Sequence, residues 1–439
     1  MTMLSILRRS GASSLSVGIT TGTLGVLFDL SFAALIFSNS LSDYLSAGIG
    51  FVLFSAAAAR IMVALMSSFP GTVSDLAAIP TAILSWNTGM VVRELPPTAT
   101  PEVLLVTVIV SIALTSLLTG LFLWTLGKLK LGNLVRLLPN SVIGGFVASS
   151  GLLLVKGAAD ILMKQPLDKM SLQSLFQQAT LMQWLPGLLL ALYLVVVTRR
   201  YRHSLVIASS LVGAIALFYG SLSLWGISLA EANAQGLTLG IPTLQTTWQV
   251  LSWSDLLQIN WQAIASQWMC AGTVSVLTAV LLLMNVKGME LVIAQDIDFN
   301  HELKVAGSTN VLLGMGGGIL AFHSMGGSML MHKLGGRSRW VTVIGAATFI
   351  LLPLLFSSWL TYFPTSILGG LLLYLGLSCL HEWVYNARKK MAPVDYCTVQ
   401  LIWVVSGIVG FLQALALGWA IAAGLLLHQF LTRKKQPSI

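Results

Sequence analysis

Long uninterrupted runs of apolar residues, separated by short polar segments, extend from about residue 16 to residue 432. A helix needs roughly 20 apolar residues to cross the hydrocarbon core of a bilayer. The runs therefore predict an all-α polytopic membrane protein with about fourteen transmembrane helices. The predicted spans are 16–38, 44–66, 74–90, 102–127, 140–159, 182–198, 204–222, 262–286, 302–322, 325–334, 340–358, 366–384, 396–410 and 412–431.

The longest stretch without a predicted span lies between the seventh and eighth spans, and it divides the chain into two halves of seven spans. This division indicates an internal repeat, although no clear sequence identity relates the halves. The predicted segments are a cytoplasmic N-terminus (1–15), a first repeat (16–222), an extracytoplasmic loop (223–261), a second repeat (262–432) and a cytoplasmic C-terminus (433–439).

Two of the predicted spans, 74–90 and 325–334, are too short to cross a bilayer, and irregular sequence precedes both. Pro70 and Gly71 precede the first, and Gly316–Gly318 precede the second. Interrupted helices in corresponding positions of two halves are typical of a transporter binding site. We expect two half-helices whose N-termini meet near the midplane, where their free N–H groups would hold an anion. The alternative is that these glycines serve close helix packing.

Composition supports the membrane interpretation. The chain is 56% hydrophobic and only 9% charged, whereas soluble domains average about 25% charged residues. Most of the Lys and Arg residues behind the net charge of +9 fall in alternate loops. That asymmetry predicts cytoplasmic termini and explains the charge without a nucleic-acid partner. We expect an integral protein of a bacterial inner membrane, in contact with lipid.

No enzyme chemistry is indicated. The three cysteines lie far apart and form no CxxC pair, so neither a metal site nor a disulfide framework is signalled. No nucleophile–base spacing and no phosphate loop are found. The sequence therefore predicts a protein without cofactor or metal that is not an enzyme.

Four local motifs resemble the SulP / solute-carrier-26 family of anion permeases, in matching order and spacing. They correspond to the family's Pro-x-x-Val-Ile-x-Gly-Phe opening of the fifth span, its Asn-x-Glu-Leu…Gly-x-x-Asn stretch, its Gly-x-Arg-Thr/Ser after the tenth span, and its twelfth span. In this chain they are Leu138–Phe146, Asp298–Asn310, Lys333–Ser338 and Phe363–Leu377.

The resemblance covers about residues 16 to 432. It implies a seven-plus-seven inverted-repeat fold shared with uracil permeases, with a gate domain and a mobile core domain, and a homodimer that works as an elevator. Met289–Asp298 and Ser67–Thr72 resemble a divergent branch of the family. That branch includes bacterial proteins of unassigned substrate and fungal vacuolar members linked to basic amino acids.

The sequence departs from the family pattern in four places. The Pro-Gln of the first span is Leu27-Phe28 here, while the aromatic residue one turn later is kept as Phe32. The carboxylate that couples sodium in bicarbonate members falls at Leu281. The basic residue at the start of the tenth span falls at Gly327, which removes positive charge from the expected anion site. The family's cytoplasmic STAS domain has no counterpart in the sequence up to Ile439.

The breaks, the first span and the eighth span supply the candidate site residues. The substrate-binding candidates are Phe28, Phe32, Thr72, Val73, Ser74, Asp75, Asn285, Ser324, Met325, Gly326 and Gly327. The candidates for coupling transport to protons or another cation are Asp29, Asp75, Glu290 and His323.

Each coupling candidate has a structural alternative. Asp75 would either cap the third helix or bind a proton or cation, because a carboxylate at that depth is costly. Asp29 would form an interhelical hydrogen bond or serve in a proton relay. Glu290 would pair with Lys287 three residues earlier or take part in coupling. His323 would be a hydrogen-bonded spacer or a group that titrates near neutral pH.

These residues support a secondary active transporter of a small anion of the sulfate, bicarbonate or dicarboxylate class, with or without proton coupling. Backbone N–H groups at 72–75 and 324–327 would hold the anion. The alternative is a transporter of a cationic or zwitterionic solute such as a basic amino acid, which would use Asp75. A channel is less favoured, because no charged pore ring or repeated filter is found.

Overall fold

The computed structural model describes residues 3–132, 139–164, 175–201, 205–240, 259–293 and 296–433. Each predicted span coincides with a helix in these ranges. The first seven are α1 (Met3–Ile36), α2 (Leu45–Met66), α3 (Ala78–Glu94), α4 (Pro101–Lys128), α5 (Asn140–Met163), α6 (Gln178–Arg200) and α7 (Val206–Leu224). The second seven are α8 (Trp268–Ile293), α9 (Phe299–Met315), α10 (Met325–Lys333), α11 (Arg339–Leu355), α12 (Thr365–Leu380), α13 (Pro393–Ile408) and α14 (Phe411–Arg433).

Eight helices of the described residues are long and apolar enough to cross a bilayer by themselves. Short elements connect the long helices. They are the 3₁₀ turn Asn39–Tyr44, the helices Leu229–Ala234, Trp261–Ala265, Ser357–Leu360 and Ala387–Lys390, and the π-helix His381–Asn386. Within the described ranges there are two strands, β1 (Ser74–Asp75) and β2 (Phe322–His323), each only two residues long.

The helices pack in two groups. α1, α2, α3, α4 and α8–α11 contact one another, and α5, α6, α7, α12, α13 and α14 form the second group. Within the first group α4 and α9 lie closest, because glycines let their backbones meet. A Cβ atom on Gly314 would lie 2.6 Å from Leu117 N, so that position has no room for a side chain.

Several element boundaries differ from the sequence prediction. α8 is shifted as a whole, to Trp268–Ile293 from the expected 262–286. Three further differences concern α1, α9 and α3. α1 begins at Met3 and not near residue 16, so it includes much of the expected N-terminal segment. α9 ends at Met315 instead of residue 322, because the glycines that follow leave the helix and Gly317 has φ +79°. α3 begins at Ala78 instead of residue 74, because Ser74 and Asp75 lie in β1.

The seven-plus-seven repeat and the segment boundaries stay predictions. Part of the expected extracytoplasmic loop (241–258) and most of the expected C-terminal segment (434–439) lie outside the described residues.

Candidate solute-binding site

The two breaks in the helical pattern lie side by side as a two-stranded antiparallel sheet. β1 pairs with β2, and a further backbone hydrogen bond runs from Ser324 N–H to Val73 O at 2.8 Å. α3 begins three residues after β1, and α10 begins two residues after β2. The helix N-termini expected to meet are therefore joined through the strands that precede them.

The two helix N-termini are capped differently. Ser324 is the N-cap of α10, and its hydroxyl accepts a hydrogen bond from Gly327 N–H at 3.1 Å. Ala77 is the N-cap of α3 and has no side chain to accept one. The capping role considered for Asp75 is therefore wrong. Asp75 lies two residues before the N-cap, and its carboxylate is bound elsewhere.

A cavity of about 710 Å³ lies against the sheet and the first turns of α3 and α10. Apolar residues form most of its lining, as is usual for a small-molecule site. Ten of the candidate residues line it. They are Phe28, Asp29, Phe32, Val73, Asp75, Asn285, His323, Ser324, Gly326 and Gly327.

The remaining candidates are not part of the cavity lining. Thr72 is buried, and its hydroxyl donates to Phe69 O at 2.6 Å. Ser74 is also buried. Met325 packs against α8 at Gly288. Glu290 pairs with Lys287 at 2.6 Å, as the local ion-pair alternative predicted.

Arg60 of α2 is a charged group of the site that the sequence analysis did not select. It is only 1% exposed, and both Nε (at 3.1 Å) and Nη2 donate to Asp75 Oδ1. Its guanidinium carbon lies 4.4 Å from the ring centre of Phe349, close enough for a cation–π contact. A positive charge therefore does lie at the site, but it comes from α2 and is paired with Asp75. An arginine inside an apolar span was the available signal.

Glycines make the space that Arg60 occupies. A Cβ atom at Gly345 of α11 would lie 3.5 Å from Arg60 Nη1. On the opposite side of the ion pair, a Cβ atom at Gly327 would lie 2.6 Å from Asp75 Oδ2. The absence of a side chain at residue 327 therefore leaves room for the Asp75 carboxylate beside the N-terminus of α10.

Asp29 is the second carboxylate of the cavity. Its side chain is buried at 1% exposure, and its Oδ2 atom has no hydrogen-bond partner among the residues that the structure describes. The interhelical hydrogen bond expected of Asp29 is thus not found for this atom. A buried carboxylate oxygen without a partner is costly, so this group is suited to a proton or a cationic ligand.

Glu302 of α9 joins the two breaks, although the sequence analysis gave it no special role. Its Oε1 accepts hydrogen bonds from Ser68 N–H at 2.9 Å and from the Ser68 hydroxyl at 2.5 Å. Its Oε2 lies 2.6 Å from His323 Nε2, and both side chains are 1% exposed. His323 therefore holds the carboxylate with one nitrogen. The position of Glu302 near a predicted span end hid this role.

Two amide side chains fix β2 against the helices. Asn310 of α9 donates to Ala321 O at 2.7 Å and accepts from Ala321 N–H at 2.9 Å. Asn285 of α8 donates to His323 O at 2.8 Å. These bonds satisfy backbone groups that a non-helical segment would otherwise leave unpaired in a membrane. The irregular backbone is therefore a built part of the cavity wall.

The described cavity lining thus combines two helix N-termini, of which Ser324 caps one, with the carboxylates of Asp29 and Asp75 and the guanidinium of Arg60. Because Arg60 neutralises Asp75, the Asp29 carboxylate is the buried charge that stays unbalanced. Lys333, at the end of α10, also lines the cavity but is exposed. This arrangement can bind a solute that carries a positive group, a negative group or both.

Residues 12–402 match the sequence model of the Sulfate permease family. The chain belongs to this family, and it is an integral membrane transport protein. The family resemblance drawn from the four motifs is thereby confirmed.

A sequence relative with a curated function is the vacuolar basic amino acid transporter VSB1 of Saccharomyces cerevisiae, 24% identical over 329 residues. The match covers 73% of this chain but only 32% of VSB1. The chain thus spans about a third of the length of that relative.

The fold is that of two solved anion-transporter structures. The transmembrane domain of the cyanobacterial bicarbonate transporter BicA has a TM-score of 0.63 and 20% identity, covering 92% of this chain and 96% of that domain. Murine Slc26a9 in the inward-facing state has a TM-score of 0.71 and 16% identity, covering 97% of this chain and 69% of Slc26a9. These identities relate the folds and not the substrates.

Proposed function

We propose that the chain is a secondary transporter for a solute with a cationic group, of the basic amino acid class. The observation that carries this proposal is the buried Asp29 carboxylate in the cavity, whose Oδ2 has no partner in the described part of the chain. A positive group on the solute would complete it. The similarity to a vacuolar basic amino acid transporter supports the same choice.

An amino acid also carries a carboxylate, and the cavity offers a place for it. Gly326 lies in the first turn of α10 and lines the cavity, with no atom within 4 Å of the place where a Cβ would stand. The N-terminus of a helix stabilises a negative group by its free N–H groups and its dipole. The solute would then lie between α10 and Asp29 of α1.

A small anion is the second candidate substrate. The two helix N-termini at the sheet favour it, and so does the likeness of the fold to a bicarbonate transporter. In that case the Arg60–Asp75 pair would open and Arg60 would face the anion.

The two groups of helices are consistent with an elevator mechanism. The sheet, Arg60, Asp75 and Glu302 all belong to the first group, which would carry the site as one body past the second group. A homodimer and proton coupling belong to the same proposal.

Ligand-induced thermal stabilisation of the purified protein separates the candidates, because a ligand that binds only the native state raises the apparent melting temperature. We expect arginine or lysine to stabilise the protein, and Asp29→Asn to abolish that shift. Stabilisation by sulfate, bicarbonate or fumarate, with no shift from arginine or lysine, would establish the anion instead. Glu290→Gln is a matched control, since that carboxylate lies outside the cavity lining.

A further inference from the structure

We infer that the Asp29 carboxylate is one site shared by a proton and by the cationic group of the solute, so that binding of one releases the other. This inference rests on the proposed function, and it adds the means of coupling. It makes the protein an exchanger of protons against a basic amino acid.

Asp29 needs a positive partner in every state of the site. Its side chain is 1% exposed, on a helix surrounded by other helices. Burying an ionised carboxylate without a partner is strongly unfavourable, because the charge loses its hydration. The empty site therefore holds a proton on Asp29, and the loaded site holds the cationic group of the solute.

Among the described residues, no neighbouring group already provides Asp29 with a positive partner. α1 packs against α2, α3, α5, α10, α11 and α12. In the described cavity lining, α3, α5 and α11 contribute no charged side chain. The titratable groups that line the cavity with Asp29 are Arg60 from α2, Asp75 from β1, His323 from β2, Lys333 from α10, Tyr201 after α6 and Tyr374 from α12.

Each charged neighbour is committed elsewhere or exposed. Arg60 donates to Asp75 through Nε and Nη2, so its charge is paired with that carboxylate, while its Nη1 has no partner among the described residues. The ring of His323 faces Glu302 at 2.6 Å. Lys333 is exposed at the end of its helix. Among the described residues, the buried Asp29 and the half-buried Asp75 thus share one buried guanidinium, and Asp29 is left without a buried counter-charge of its own.

The exchange step balances in charge and in atoms. The protonated carboxyl of Asp29 loses its O–H bond as the ammonium or guanidinium of the solute arrives. The products are a carboxylate–cation pair and a proton released to the solution. A return movement with Asp29 protonated carries no unpaired charge across the bilayer, whereas a return with Asp29 ionised does. The empty carrier therefore moves only with its proton.

The test is calorimetric titration of lysine into the purified full-length protein, repeated in two buffers of different ionisation enthalpy and over a series of pH values. We expect one proton released per lysine bound at the acid end of the series. The apparent Kd should then rise about tenfold for each unit that the pH falls, because proton and lysine compete for one group. Neutral carboxamide cannot release a proton, so Asp29→Asn should show no release and at least tenfold weaker binding.

Two variants guard the result. Asp29→Glu keeps the titrating group and should restore the release of a proton, which shows that the loss in Asp29→Asn is not misfolding. Glu290→Gln, whose carboxylate pairs with Lys287 outside the cavity lining, should behave like the wild type. If Asp29→Asn does not fold, the comparison of the wild type with Asp29→Glu still tests the inference. The pH at which proton release begins should then differ between the two proteins, and an unchanged pH would contradict a shared site at Asp29.

Different experimental results would overturn this inference and the proposed function. Lysine binding without proton release, or binding that Asp29→Asn leaves unchanged, overturns the shared site but not the substrate class. No binding of lysine or arginine under any condition overturns both.

Discussion

Arg60 and Asp75 form an ion pair in an environment where either charge alone would be strongly destabilising. Arg60 has 2% of its side chain exposed and Asp75 has 23%. Removing one partner of a buried pair leaves the other without a counter-charge, which costs about 3–5 kcal/mol, while replacing both costs less. The effect of a single substitution is therefore set mainly by the cost of the charge that is left unpaired, and less by the attraction between Arg60 and Asp75.

A double-mutant cycle tests this. We expect Arg60→Met and Asp75→Asn each to lower the melting temperature of the purified protein, and the double variant to lower it by less than the sum. A coupling energy of about 1–3 kcal/mol is expected for groups in direct contact. Additive effects of the two substitutions would contradict a functional ion pair.

Adjacent glycines in the first turn of α10 give a matched comparison. A Cβ atom at Gly327 would lie 2.6 Å from Asp75 Oδ2, whereas one at Gly326 would meet no atom within 4 Å. Both substitutions improve helix propensity by about 1 kcal/mol. We expect Gly327→Ala to lower the melting temperature, and Gly326→Ala to leave it unchanged or raise it while weakening solute binding. Equal melting temperatures in a thermal-shift assay would show that Asp75 moves freely.

For single residues, the sequence predicted which positions line the cavity better than it predicted which side chains interact there. The breaks and the first span located Asp29, Phe28 and Gly326 in the cavity wall, because Gly, Pro and Ser patterns mark irregular backbone. Arg60 was passed over, since an apolar span shows a charge but not which distant residue balances it. Partners that lie on other helices are fixed by packing, which one sequence does not display.

At the scale of elements, two strands of two residues each hold the site, and side chains from α8 and α9 keep them in place. Glu302 is the strongest of these supports, because it accepts two hydrogen bonds from Ser68 and faces His323. The sheet is too short to be stable by itself. Its position depends on these side chains.

A comparison of Glu302 with Glu382 tests whether the buried carboxylate stabilises the protein more than an exposed one. Glu302 is buried, and Glu382 is exposed and pairs with Lys390 at 2.5 Å. We expect Glu302→Gln to destabilise the protein by about 3 kcal/mol, as for a broken buried pair, and Glu382→Gln by less than about 1 kcal/mol. The melting temperatures of the two variants, measured in the same detergent, test this prediction. Equal decreases in melting temperature would show that Glu302 does not stabilise the sheet.

The sequence located every long helix and both breaks, because apolar runs and Gly-rich interruptions are local signals. It misplaced the end of α9 and the start of α3 by several residues. α9 ends early because the glycines after Met315 leave the helix. The start of α3 was misplaced because Ser74 and Asp75 lie in β1, and strand pairing between distant segments leaves no local pattern to follow. The N-cap of α3 was wrong for the same reason.

At the scale of the whole molecule, the two groups of helices meet where α1 and α3 pack against α5 and α12. Leu35 of α1 and Gly157 of α5 are in contact across this boundary. Val17 and Gly336 are in contact within the first group, where a Cβ at Gly336 would lie 3.0 Å from Val17 Cγ1. The elevator proposal requires the first contact to break during transport and the second to persist.

Cysteine cross-linking tests that requirement. In a background with Cys270, Cys379 and Cys397 replaced by serine, oxidation of Leu35→Cys/Gly157→Cys is expected to stop solute uptake into proteoliposomes, with restoration by a reductant. The pair Val17→Cys/Gly336→Cys should cross-link with little effect on uptake. Undiminished uptake with the first pair fully cross-linked would mean that the groups do not move past each other at this contact.

The sequence predicted the family and the order of the helices, since the motifs are contiguous. It did not predict how the helices divide into two packing groups. That division depends on contacts between the surfaces of helices that are far apart in the sequence, and no local motif records them.

The bond between Ser68 and Glu302 joins residues 234 positions apart in the chain, and the sheet spans a similar distance. During synthesis the first seven helices enter the membrane long before their partners leave the ribosome. For that interval β1 has backbone groups that nothing satisfies, a costly condition in lipid. We therefore expect this protein to depend on the insertion machinery or a membrane chaperone, which would protect the first half until the second half is synthesised. Damage confined to residues 299–328 would then lower the amount of protein delivered to the membrane, and not only its activity.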